Sequence, residues 1–274
     1  LAEKYPHSFI VWNCIGAATS GLGKLEQSSH AFKKVTELNP YYADGYNNLG
    51  VILKDQGKLD EALDKFNKTI SIKSDYVDAF YNIGIIFKDK GKFREATEAF
   101  NKVILLKPDY VEAHYNMGIT LQNQDEPDKA IDAYKKFISL KPNYAEAYNN
   151  IGIAFQDKGD LEKAIEAFNK AISLKTDYAQ AYCNLGNALQ EQGERKKAIE
   201  FYKKSILLKS DYAQAYNNMG VALEDLGEKK KAIDAYKQSI LHKPNYDDAY
   251  FNLGSSLKDI VYKKSDPILH KTII

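Results

Sequence analysis

The chain has 274 residues, 44% of them hydrophobic and 27% charged, which is enough apolar material for a sizeable core. Its 38 lysines and arginines almost cancel its 37 acids, so no overall field draws it to nucleic acid or to an anionic membrane. No apolar run nears the roughly 18 residues of a membrane span, and no leader of basic start and apolar core opens the chain. Two distant cysteines, Cys14 and Cys183, form neither a metal-type pair nor a disulfide framework, which fits a reducing, cytoplasmic setting. The first residue is Leu1 rather than methionine, as expected of an excised or processed fragment.

Residues 1–8 read as the end of a preceding repeat, with Pro6 where later units have Pro40, Pro108, Pro142 and Pro244. From Phe9 onward glycine recurs every 34 residues, at Gly16, Gly50, Gly84, Gly118, Gly152, Gly186, Gly220 and Gly254. Counting that glycine as position 8, alanine stands at position 20 (Ala62 to Ala232) and an aromatic at position 24 (Phe32, Phe66, Phe100, Tyr134, Phe168, Tyr202, Tyr236). Seven full units follow, over 9–42, 43–76, 77–110, 111–144, 145–178, 179–212 and 213–246. The first helix of an eighth is expected over 247–260, and 261–274 reads as a non-repeat tail, since Pro267 sits where a second helix should run.

Within a unit, apolar residues at positions 4, 7 and 11, as in Tyr148, Ile151 and Phe155, give a helical period. Glycine at position 15 (Gly57, Gly91, Gly159, Gly193, Gly227) ends the first helix in the left-handed conformation, and the second starts just after it. In the fourth unit Asp125 takes that place, and Pro127 falls in the first turn of the second helix. Asp or Asn at position 33 with an acid or glutamine three residues on, as in Asp109 to Glu112, Asn143 to Glu146 and Asp177 to Gln180, reads as a capping box. Glycine at position 8 costs about 1 kcal/mol inside a helix, so close approach of the paired helix is expected there.

This text is similar to the tetratricopeptide repeat family, on segments such as Tyr148-Asn149-Asn150-Ile151-Gly152 and Ala164-Ile165-Glu166-Ala167-Phe168. The resemblance implies an all-α fold, a right-handed superhelical α-solenoid of 34-residue helix-turn-helix repeats whose first helices line a concave surface. Its implied function is a protein-interaction scaffold.

Positions 2, 6, 9 and 13 of the first helix form a stripe expected to line that groove. Position 6 is Asn in seven units: Asn48, Asn82, Asn116, Asn150, Asn184, Asn218 and Asn252, with Cys14 the exception. An amide ladder suits the alternating N–H and C=O groups of an extended peptide. An alternative is that these asparagines order neighbouring helices. The ladder also resembles the asparagine-lined repeat arm of protein O-linked N-acetylglucosamine transferases, which leaves open a second role as the substrate-recruiting arm of a larger modifying enzyme whose catalytic domain is absent here. Tyr81 and Tyr115 at position 5 are candidate peptide contacts, with partial burial against the next unit as their alternative. Acids at position 13 (Asp55, Asp89, Asp157, Glu191, Asp225) favour hydrophobic peptides with some basic residues.

No nucleophile, glycine-rich phosphate loop or histidine pair stands out from the repeat, so no catalytic residue, metal site or cofactor is assigned and no enzymatic activity is expected. The expected partner is a protein or peptide, not nucleic acid or membrane. Tyr250, Leu253 and Leu257 lack a following second helix, so self-association through a solenoid end is a further expectation.

Overall fold

The computed structural model describes residues 3–257, which are helical with no strand. The close of the helix expected over 247–260 and the tail expected over 261–274 lie outside the described residues. Fifteen helices are described. The first helices of the units are α1 (Phe9–Gly21), α3 (Ala43–Asp55), α5 (Val77–Asp89), α7 (Val111–Gln122), α9 (Ala145–Asp157), α11 (Ala179–Glu191), α13 (Ala213–Asp225) and α15 (Asp247–Leu257). The second helices are α2 (Leu25–Leu38), α4 (Leu59–Ile72), α6 (Phe93–Leu106), α8 (Pro127–Leu140), α10 (Leu161–Leu174), α12 (Arg195–Leu208) and α14 (Lys229–His242).

The chain divides into two compact units, Leu1–Leu140 and Lys141–Ile274. Each is a run of solenoid in which a first helix pairs with the second helix of its own repeat and then packs on the next. Within each unit the first helices also touch each other, α3 with α5 and α5 with α7, α9 with α11, α11 with α13 and α13 with α15. No comparable contact joins second helices, so the first helices form the inner side of the curve in each unit.

The close approach at position 8 is present. A Cβ added to Gly152 would lie 2.6 Å from Cε1 of Phe168, and the position-8 glycines from Gly16 to Gly220 face the position-24 ring of their own repeat in the same way. Those rings are the largest side chains with almost no exposure, and the position-20 alanines beside them are fully buried. Ring and glycine form one fitted joint, repeated along the chain.

The turn between paired helices is also as expected. Glycines at position 15 have φ between 69° and 88°, and Asp125 holds φ 58° in the fourth repeat. Helix α8 opens on Pro127, whose missing N–H is not needed in a first turn.

The capping box is not formed. The residue before each of these first helices is the position-34 tyrosine (Tyr110, Tyr144, Tyr178), which makes no side-chain cap bond. The first turn closes instead through that residue's carbonyl, as in Ala113 N–H to Tyr110 O at 3.1 Å. The position-2 acid is thereby released to the tyrosine that closes its own repeat: Asp44 accepts from the Tyr76 hydroxyl at 2.9 Å and Asp78 from Tyr110 at 3.3 Å. Tyrosine prevails at the cap because it fills the joint between repeats. A lysine three residues earlier lies over its ring in six repeats, from Lys73 on Tyr76 at 5.5 Å to Lys243 on Tyr246 at 4.5 Å.

Candidate functional site

The position-6 asparagines stand on the first helices, and the amides of Asn82, Asn116, Asn184, Asn218 and Asn252 bond to the neighbouring repeat. In the second unit Asn184 donates to Asn149 Oδ1 at 2.9 Å and Asn252 to Asn217 Oδ1 at 3.0 Å. The acceptors are position-5 asparagines, 1% and 5% exposed, which burial requires to be hydrogen-bonded. Asn218 would meet Cys183 at that register, and a thiol is a poor acceptor. It donates instead to Asn187 Oδ1 at 2.8 Å, and Asn187 occupies position 9, where neighbouring repeats carry Ile153 and Val221. Asn150 Oδ1 accepts a long 3.5 Å contact from Asn149.

In the first unit Asn82 and Asn116 receive lysines from the preceding repeat, Lys54 at 2.7 Å and Lys88 at 2.9 Å, on their carbonyl oxygens. Asn116 also donates to the Tyr81 hydroxyl at 3.1 Å. Asn48 is half-buried and lines a cavity of about 390 Å³ with Phe32, Val51 and Ile52. Tyr81 packs its ring at 5.1 Å from Tyr110, and Tyr115 packs at 5.0 Å from Phe137. Burial raises the Tyr81 phenol above its ordinary value.

Position 12 carries side-chain bonds that the spacing did not single out, and they vary with the residue at position 24. Where position 24 is Tyr, its hydroxyl takes an acceptor from its own repeat: Tyr134 donates to Gln122 at 2.6 Å, Tyr202 to Gln190 at 2.9 Å and Tyr236 to Glu224 at 3.0 Å. Where it is Phe, position 12 reaches the next repeat, as Lys54 and Lys88 do and as Gln156 does in donating to Glu191. Part of the signal was available in the sequence, since Tyr at position 24 occurs only with Gln or Glu at position 12 and lysine at position 12 only with Phe.

Around Asn218, Tyr202 and Asn187 the second unit opens a polar cavity of about 370 Å³, rimmed by Glu191 and Asp225. The position-13 acids are exposed, and Arg195 holds Asp225 at 3.0 Å. Among the described residues no group of three His, Cys, Asp or Glu is placed to hold a metal, and no helix is long and apolar enough to cross a membrane. His114 is buried and bonds through Nε2 to the Pro108 carbonyl at 2.8 Å.

Models of the tetratricopeptide repeat match residues 31–64 and 133–166, 52–91, 84–125 and 154–193, 111–144, and 177–240, an unbroken stretch when taken together. The chain belongs to the tetratricopeptide repeat family. Among solved structures it is similar to MamA, with 36% identity and a TM-score of 0.55 over 59% of this chain and 95% of that one. It is similar to YrrB, described as a TPR protein with an unusual peptide-binding site, with 26% identity and a TM-score of 0.63 over 68% of this chain and 96% of that one. A tetratricopeptide protein from Parabacteroides merdae shares the fold, with a TM-score of 0.67 at 19% identity over 91% of this chain and 98% of that one. Comparison with curated proteins gave no match.

The two cysteines of this repeat array differ in environment. Cys14 is exposed and Cys183 is buried, and burial pushes the Cys183 thiol up to about 12. Burial also raises the Tyr202 and Tyr212 phenols nearby. A raised folded-state value favours the protonated native form, so its stabilising effect is complete below the ordinary thiol value of 9.0 and is lost as pH climbs towards 12. The expected result is one rapidly reacting thiol at pH 8 and a second only on unfolding, with urea stability falling from about pH 9 upward. Two thiols reacting at equal rates would contradict it.

Proposed function

We propose that this chain is an interaction scaffold that holds an extended segment of a partner protein along the first-helix face of its repeats. The observation that carries the reading is the fixed orientation of the position-6 amides. A side-chain amide has two donors and an acceptor with two lone pairs. The single bond from Asn184 to Asn149, or from Asn252 to Asn217, sets the plane of the amide and leaves capacity for a peptide main chain. An amide locked before binding gives up less side-chain entropy on binding. The alternative role of these asparagines in ordering helices and their role as contacts are thus two uses of one group. The description of YrrB as a TPR protein with a peptide-binding site supports a peptide ligand for this repeat type.

The expected ligands carry apolar anchors and some basic residues, matching the half-buried Ile153 and Val221 beside the exposed Asp157, Glu191 and Asp225. In the first unit Lys54 and Lys88 change the chemistry of the same face, since each sets an ammonium beside an asparagine. The test is affinity capture from a lysate of the source organism with the natural chain and with Asn150→Ala, Asn184→Ala and Asn218→Ala combined. Circular dichroism confirms that the variant is folded. Loss of captured partners by the folded variant supports the reading. Equal capture would assign the asparagines to helix packing alone and remove this face as the binding site.

A further inference from the structure

One rung of the amide ladder is nearly closed to solvent. Asn82 is 9% exposed, whereas the other position-6 asparagines are half-buried. Its Nδ2 donates to the Asp78 carbonyl at 2.9 Å, an oxygen that the turn of α5 already uses, and its Oδ1 accepts from Lys54 at 2.7 Å. Neither bond reaches Asn47, the position-5 asparagine of the preceding repeat. Asn47 is 7% exposed, and its buried Oδ1 has no hydrogen-bond partner among the described residues. An orphaned buried acceptor costs stability and needs a physical reason.

The register names the missing donor. Asn184 donates to Asn149 and Asn252 to Asn217, each 35 residues back, so the donor that Asn47 lacks is Asn82. The rungs differ at position 12 of the preceding repeat. There Gln156 bonds to Glu191, and Glu224 accepts from Tyr236 and Ser256, so neither touches the asparagine that follows. Lys54 does. Asn116 is also held by a lysine, but its position-5 neighbour is Tyr81, long enough to meet its Nδ2 at 3.1 Å. Asn13 Oδ1 is unpartnered as well, in a half-buried residue of the first repeat where no lysine intervenes. Removal of Lys54 therefore decides whether the lysine is what holds Asn82 away.

We infer that Asn82 is a two-position latch: Lys54 holds it in the free protein, and it turns to Asn47 when an oxygen acceptor of a bound segment draws Lys54 away. The inference rests on the first-helix face being the binding face. Turning exchanges a second bond to an occupied helix carbonyl for a first bond to an orphaned one, while the ammonium exchanges an amide oxygen for the ligand's. The two arrangements are thus close in free energy, and a ligand that contacts Lys54 in only one of them selects it. Asp55 and Asp89 offset the charge of Lys54 and Lys88, and Lys88 already lies 3.7 Å from Asp89. No surplus of charge demands an acid, so the expected acceptor is a main-chain carbonyl. A segment arriving at Lys54 is then felt at Asn47, a side chain it never touches.

A double-mutant cycle in urea tests the latch without any ligand. Asn47→Val is expected to leave the unfolding midpoint unchanged or to raise it in the natural chain, where the Asn47 carbonyl has no partner to lose. In the Lys54→Met background, with Asn82 turned onto Asn47, the same change is expected to lower the midpoint. Equal effects in the two backgrounds overturn the inference. The ligand half is read from ¹⁵N side-chain amide signals, with Asn82 assigned through Asn82→Ser, as two pools of twelve-residue peptides are added that differ by one glutamate or glutamine. The Asn82 signals are expected to move to the place they hold in Lys54→Met. Movement with both pools identifies a main-chain carbonyl as the acceptor, and movement with the glutamate pool alone a carboxylate; either supports the latch. Shifts at Asn116 or Asn184 with Asn82 unmoved overturn the coupling and leave the binding face standing. No shift at any ladder amide overturns both.

Discussion

Gly152→Leu is expected to destabilise the second unit by about 3 kcal/mol, the upper part of the usual range for overpacking. The more telling variant is Gly152→Ala. Helix propensity alone predicts a gain of about 1 kcal/mol from that change, and a gain is the usual result at an exposed site. Here the new Cβ meets Cε1 of Phe168 at 2.6 Å, and that ring has no exposed surface and no room to retreat. A net loss of about 1–2 kcal/mol is therefore expected from the alanine. Phe168→Leu, although destabilising by itself, is expected to be less damaging when combined with Gly152→Ala, because shortening the ring removes the clash. Urea unfolding followed by circular dichroism measures all four states of the cycle. A Gly152→Ala protein as stable as the parent would mean that the recurrent glycine answers to something other than the ring opposite it.

A second large effect is expected at Asn187. Its Oδ1 accepts from both Tyr202, at 2.8 Å, and Asn218, at 2.8 Å, inside a partly buried cluster. Asn187→Val supplies the residue type found at this position in neighbouring repeats, yet it strips Asn218 of its acceptor while Tyr202 keeps Gln190 at 2.9 Å. The expected cost is about 1–2 kcal/mol, that of a donor left unsatisfied. Cys183→Asn should restore much of it. An asparagine there would stand where Asn149 and Asn217 stand in the repeats on either side, each accepting from the position-6 asparagine of the repeat that follows. The double variant being no more stable than Asn187→Val alone would show that the position-5 amide is not the missing acceptor. The measurement is again a denaturant midpoint.

Much of the fold is legible in the repeat because its determinants lie in fixed local register. The position-8 glycine and the position-24 ring are 16 residues apart in every full unit, so their joint shows as a periodic pairing. The turn at position 15 is equally plain, including its replacement by Asp125. The capping box failed because an acid three residues after Asp or Asn carries no information about a competing tyrosine. Asp44 and Asp78 are drawn off by hydroxyls 32 residues further on. For the candidate site, the ladder of position-6 asparagines could be read from spacing, but the destination of each amide could not. That depends on what the preceding repeat offers 35 residues earlier: Asn149, Tyr81, Asn217 or, at Cys183, nothing suitable. Lys54 and Lys88 escaped notice for the same reason, since a lysine on a helix ordinarily reads as solvated surface.

The coupling between positions 12 and 24 also governs how a local disturbance travels. Where the ring is Phe66 or Phe100, the lysine at position 12 spans to the next repeat, so opening one helix pair breaks a bond that belongs equally to its neighbour. Where it is Tyr202, the phenolic oxygen takes Gln190 as an acceptor within its own repeat. In a linear array whose stability is the sum of repeat and interface terms, this shifts free energy from the interface to the repeat. Amide hydrogens around Phe66 and Phe100 are then expected to exchange in concert, as one cooperative block, and those around Tyr202 more nearly one repeat at a time. One oxygen atom on a buried ring thereby bears on the distance over which fraying spreads.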